Sequence, residues 1–139
     1  MRNLMRTTII FTGIIILALN TTNIAKNSNS EDSRAFELRT YTAAPGKAED
    51  LHARFRNHTN ELFDKHGIEV IGYWIPEGKP DMLIYLLAHE NRHAATVSWE
   101  SFRTDPTWIS AKKSSELNGA LTAVVKSIFL FATDYSPMK

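Results

Sequence analysis

The side chains with the most chemistry in them are His58, Arg39 and Tyr41. A histidine is a ready base near neutral pH. An arginine binds a carboxylate or an enolate, and a phenol beside it can orient the bound group. His58 falls three residues after Phe55 and four before Leu62, so at helical spacing it borders an apolar stripe. Glu37, Arg39 and Tyr41 share one face of an alternating segment. With Tyr73 and Tyr85 they are expected to place polar groups in the interior of a paired molecule. The candidate catalytic set is therefore His58 as base, Arg39 as anion partner and Tyr41 as orienting group. The candidate ligand contacts are His58, Tyr73, Trp74, Tyr85 and Trp108. Each has a plainer reading beside it. His58 fits a core-edge histidine, Glu37 and Arg39 fit ion pairs across the sheet or a dimer seam, and Trp74, Trp99 and Trp108 fit core or pocket wall.

Other chemistries find little support. His52 and His66 are too far apart on one helix to share an ion, and His89 and His93 are separated by Glu90-Asn91, which reads as a helix cap. No H-E-x-x-H pattern or carboxylate cluster accompanies them, so no metal site is expected. Haem on one of these histidines is a minor alternative, and otherwise no cofactor is expected. Arg103 and Asp105 flank a helix break, as a cap and a local ion pair. There is no Gly-rich phosphate loop, no nucleophile elbow and no Ser/His/Asp order to propose. The chain has no cysteine, which removes thiolate catalysis, cysteine zinc sites and a lipidated cysteine. Sixteen basic residues, two of them in the first six positions, face fifteen acidic ones. That balance leaves no basic footprint for nucleic acid.

These residues must be positioned by a small set of elements. Ala35 to Thr42 alternates as a strand, and Pro45-Gly46 ends it. Lys47 to His66 reads as one amphipathic helix, with Leu51, Phe55, Thr59 or His58, Leu62 and His66 as its stripe and Gly67 as a left-handed stop. Ile68 to Ile75 is a strand with Ile68, Val70 and Trp74 on one side and Ile71, Tyr73 and Ile75 on the other. A turn at 76–80 leads to a third strand, Met82 to Ala88. Arg92 to Arg103 is helical, with Ala95, Trp99 and Phe102 inward. Asp105-Pro106 restarts the helix, Asp as N-cap and Pro at the first position, and it runs to about Leu117. Leu121 to Ala132 holds the last strand.

The order is β-α-β-β-α-β with the second helix broken, a ferredoxin-like α+β arrangement. Helices cover one face of such a sheet. Roughly six large apolar side chains fall on the other, and leaving them wet forgoes on the order of 10 kcal/mol. A second copy of the chain is the economical cover, so a homodimer is expected.

The first 34 residues stand apart. Arg2 and Arg6 precede an apolar run, Ile9 to Leu19, and a polar exit. This is the pattern of a secretory signal peptide over residues 1–25, with cleavage after Ala25, followed by a linker over 26–34. Export to the periplasm or medium is expected. An uncleaved leader would anchor the chain to a membrane, and a mitochondrial presequence is the remaining alternative.

Several stretches together carry a family likeness. They are Phe36-Glu37-Leu38-Arg39-Thr40-Tyr41 with Pro45-Gly46-Lys47, Phe55-Arg56-Asn57-His58-Thr59, and Leu62-Phe63-Asp64-Lys65-His66-Gly67. Gly72-Tyr73-Trp74, Trp99, Phe102 to Trp108 and Thr133 to Pro137 complete it. Over residues 35–137 the chain resembles the NIPSNAP family. The resemblance implies a dimeric α+β barrel, in which two ferredoxin-like sheets close face to face. The space between helices and sheet in related barrels can hold a small ligand, and His58 is the expected polar anchor there. The family has no defined activity. The leading functional expectation is an exported homodimer binding a small, mostly apolar molecule. A cofactor-independent monooxygenase or isomerase, and a protein-interaction module, are the alternatives.

Overall fold

The computed structural model describes residues 33–139. The leader, and the linker up to residue 32, lie outside the described residues. Four strands, β1 (Ala35–Ala43), β2 (Glu69–Trp74), β3 (Met82–His89) and β4 (Thr122–Phe131), form one antiparallel sheet in the order β2-β3-β1-β4. The helices are α1 (Ala48–Arg54), α2 (Asn60–Lys65), α3 (Arg92–Thr104) and α4 (Pro106–Ser115). The element order is the expected one, and the strand order is that of a ferredoxin-like α+β domain.

Odd positions of β1 face the helices. Tyr41 packs edge-on against Phe55, and Glu37 accepts a hydrogen bond from Trp99 of α3. The register carries this parity to Tyr85 and Leu87 of β3. The core lies in this layer, around Leu51, Phe55, Phe63, Tyr85, Leu87, Trp99 and Phe102. Even positions of β1 face away from the helices, beside Ile84 and Leu86 of β3 and Val124, Ile128 and Leu130 of β4. Trp74 pairs with Ile84 and lies on this open face.

Local rules explain the punctuation. Gly67 takes φ 68°, a left-handed conformation that lets Ile68 N–H reach back to the Phe63 carbonyl at 2.9 Å. Asn91 Oδ1 caps α3 by accepting from Ala94 N–H at 2.8 Å. Asp105 ends α3 with extended backbone and caps α4, accepting from Thr107 N–H at 2.7 Å, with Pro106 at the first turn.

Two departures from regular periodicity change which side chains face inward. The long first helix contains a π segment, Phe55–Thr59, between α1 and α2. Its extra residue per turn rotates the stripe, so Arg54, Phe55 and Thr59 are buried and His58 is exposed. Thr59 Oγ1 donates to the Arg54 carbonyl at 3.3 Å, which satisfies an acceptor that the widened turn loosens. In β2 the register slips between Val70 and Gly72, so Ile71 is an inserted residue. Val70 and Tyr73 therefore both reach the core layer, and Trp74 points to the other face, which corrects the simple alternation expected for this strand. Gly72 permits the bend because Trp74 lies across it. A Cβ there would come within 2.7 Å of the indole ring.

Candidate functional site

Four side chains of the first and third strands begin the site. Glu37 is almost fully buried and gathers four donors. Trp99 Nε1 donates to its Oε2 at 2.6 Å, Arg39 Nη1 to its Oε1 at 2.5 Å and Ser127 Oγ to its Oε1 at 2.5 Å, and His89 Nε2 lies 3.3 Å from Oε2. Burial alone would raise the Glu37 pKa. The contacts from His89, Ser127 and Trp99 and the charge of Arg39 outweigh it and lower the pKa to about 2. Arg39 then donates from Nε to the Tyr85 hydroxyl at 2.9 Å and from Nη2 to the Tyr41 hydroxyl at 3.1 Å. Its guanidinium stacks over the Trp99 ring, 4.4 Å from the centroid. Glu37, Arg39 and the two tyrosines thus form one chain of hydrogen bonds. It runs between sheet and helices, not inside a sheet-to-sheet barrel as expected, because odd positions of β1 carry it and odd positions face the helices.

Beyond the two tyrosines lies a cavity of about 170 Å³. Phe55, Thr59, Phe63 and Arg54 line it from the first helix, Trp99 and Phe102 from α3, and Trp108 and Lys112 from α4. Tyr41, Tyr85, Thr122 and Val125 close the sheet side. Val125 and Lys112 are its exposed members, which sets the mouth between α4 and β4. The walls are mostly aromatic. Phe55 packs edge-on against Tyr85 at 5.3 Å, and Phe102 lies tilted against Trp108 at 4.5 Å.

The expected residues divide between this place and others. Tyr41, Tyr85 and Trp108 line the cavity, and Arg39 stands behind it through the tyrosine hydroxyls. His58 does not reach it. The π segment turns His58 outward, into a surface depression with Asn57, Ser114 and Leu117, which corrects its expected place at the buried stripe. Tyr73 donates to Asn60 Oδ1 at 2.6 Å and lines a separate depression of about 240 Å³ with His52, Trp74 and Ile75. Trp74 is 52% exposed. Arg54, like Lys112, is a charged lining residue that the sequence reading missed. Its position three residues after Leu51 and beside Phe55 placed it on the stripe, but an arginine there is ordinarily read as solvated.

A second cluster fastens the end of α2 to the α3–α4 junction. Ser101 Oγ lies 2.7 Å from His66 Nδ1, and His66 Nε2 lies 2.9 Å from Asp105 Oδ2. The order Ser–His–Asp is thus assembled in space, where the sequence offered none. Asp105 is already committed, though. Its Oδ1 caps α4, and its Oδ2 also accepts from Lys65 Nζ at 2.7 Å. Lys65 and His66, aided by the Thr107 and Trp108 N–H groups, hold its carboxyl well below the usual range. The ion partners of Asp105 are Lys65 and His66, not Arg103 as the sequence implied. Among the described residues no three His, Asp or Glu side chains come together as a metal site.

Comparison with known proteins places this geometry. No curated protein matches the chain. Among solved structures, the chain is similar to a NIPSNAP-like domain protein from Burkholderia xenovorans, at 17% identity and TM-score 0.66, over 77% of this chain and 91% of that one. It is similar to a NIPSNAP family protein of unknown function from Agrobacterium tumefaciens, at 19% identity and TM-score 0.66, over 78% and 96%. A putative antibiotic biosynthesis monooxygenase from Bacteriodes thetaiotaomicron shares the fold at 16% identity and TM-score 0.56, over 77% and 94%. The sequence profile of the NIPSNAP family matches residues 36–137, nearly all of the described part, and the chain belongs to that family.

Proposed function

We propose that this protein is an exported homodimer whose helix-side cavity binds a small, mostly apolar molecule. The observation that carries the reading is the cavity itself. It is lined by seven aromatic side chains together with Arg54, Lys112, Val125 and two threonines. A dry, apolar cavity of ~150 Å³ is large enough to hold benzene. The volume here is about 170 Å³, so a molecule of one ring, or a compact bicyclic one, is the appropriate size. A few polar groups in an apolar wall are the usual make-up of a ligand site.

Pairing is supported by the open face. Trp74, Val124, Ile128 and Leu130 are each at least 40% exposed there, around the half-buried Leu38, Ile84 and Leu86. The charged side chains of that parity, Glu69 and Lys126, sit on the edge strands and leave the centre apolar. Export rests on the basic and apolar leader of residues 1–25.

The monooxygenase or isomerase alternative needs a base in the cavity. His58 lies outside it, and burial pushes the Tyr85 hydroxyl well above its ordinary pKa, so that phenol is a poor base at neutral pH. Titration calorimetry with indole and toluene tests the binding reading. Trp108→Ala is expected to weaken binding at least tenfold, and His58→Ala to leave it unchanged. Binding that depends on His58 and ignores Trp108 would overturn the choice of cavity.

A further inference from the structure

Arg54 has a role that a merely apolar ligand leaves unfilled. Its side chain is 5% exposed and lines the cavity, with the guanidinium 5.3 Å from the centre of the Trp108 ring. Both of its hydrogen bonds use Nη1, to Glu116 Oε1 at 2.7 Å and to Ser115 Oγ at 3.4 Å. Nε is buried with no partner, and Nη2 makes no hydrogen bond to any described residue. The Nε–Nη2 pair is the side-on fork of a guanidinium, the edge that takes both oxygens of a carboxylate. With Nε buried and neither nitrogen taken by an acceptor among the described residues, this edge suits a planar acceptor.

The surroundings favour an anion. No lining residue is acidic. Glu116, the one carboxylate in contact with Arg54, is shared with Lys112, so two cations face one anion. On the far wall the Tyr41 and Tyr85 hydroxyl oxygens accept from Arg39. The two hydroxyls also interact with each other, which leaves one phenolic proton between them to donate to a ligand. Aromatic rings fill the rest of the wall and suit a flat ring.

We infer that the cavity takes a small aromatic carboxylate, its acid group on the Arg54 Nε–Nη2 edge and its ring among Phe55, Phe102 and Trp108. This rests on the reading of the cavity as a ligand site and adds the charge and the anchor. Benzoate and benzamide share size and ring and differ in charge, which makes them the probes. In the natural protein, calorimetry is expected to find benzoate bound at least tenfold more tightly than benzamide. The variant Arg54→Met removes the cation and leaves Glu116 paired with Lys112, so no charge is stranded. It is expected to bind the two compounds equally. Equal affinity in the natural protein overturns the anion anchor, as does a preference that survives in the variant. If indole binds while the two probes do not differ, the cavity reading stands without its anchor. If none of the three compounds binds, both readings fall. The comparison in the natural protein decides the charge preference whatever the stability of the variant.

Discussion

On β1, Glu37, Arg39 and Tyr41 face the helices, while Phe36, Leu38 and Thr40 face away. The two faces of one strand have opposite needs. The covered face carries charge and hydroxyls, each supplied with partners from elements far apart in the chain. Glu37 alone draws donors from Arg39, His89, Trp99 and Ser127. The open face carries apolar side chains, and Ile128 of β4 is 55% exposed on it. A polar group can be buried once it is paired, so the covered face is complete within one chain apart from the Arg54 edge and His89 Nδ1. Apolar surface is satisfied only by being covered, so the open face is incomplete within the described residues. The two proposed tasks divide along this contrast: association on the open face, binding on the covered one.

The sharpest way to break this contrast is to remove the centre of the covered network. Glu37→Leu strands the Arg39 charge and the Trp99 donor, and is expected to cost about 3–5 kcal/mol in urea unfolding. A loss below about 1 kcal/mol would mean the network is solvated and the faces differ less than described. Next is Ile128→Asp. It sets a carboxylate among the exposed apolar side chains of the open face, and light scattering is expected to show the mass halved with each chain still folded. An unchanged mass in this variant removes the open face from association.

Acid should act on the covered side. Glu37 and Asp105 both have folded-state pKa values below their unfolded ones, Glu37 at about 2. A lowered carboxyl pKa contributes stability that is present above the unfolded value, ~4. That contribution is lost as pH falls toward the folded value. The thermal midpoint is therefore expected to drop between about pH 5 and pH 2, and Glu37→Gln to start lower with a flatter profile over that window. A parallel profile in the variant would place the acid sensitivity elsewhere. The smallest effect belongs to His58→Ala, an exposed position, where unfolding is expected to change by less than about 0.5 kcal/mol.

Much of the fold was legible from the sequence because its signals are local. Gly67 stops a helix by its conformation, and Asp105-Pro106 both breaks and restarts one. Alternation in β1 gave the shared face of Glu37, Arg39 and Tyr41. What local signals could not give was which side of the sheet that face would meet. The site was less legible, for two reasons. The π segment at Phe55–Thr59 and the inserted Ile71 each shift the pattern by one residue, and one residue is enough to exchange inside and outside. That exchange moved His58 out, and it set Tyr73 in the core layer and Trp74 on the open face. The buried charges depend on partners remote in sequence. Arg54 meets Glu116, 62 positions away, and Glu37 meets Trp99, also 62 away. No window of local sequence contains both members of those pairs.

Which face of the sheet receives a small molecule is read out directly by a crystal structure of the protein soaked with benzoate. The expected result is one ring in the cavity between sheet and helices, against Trp108 and Phe55, with both carboxylate oxygens on the Arg54 side-on edge. A ring lodged instead on the open face, beside Trp74 and Ile128, with the helix-side cavity empty, would contradict it.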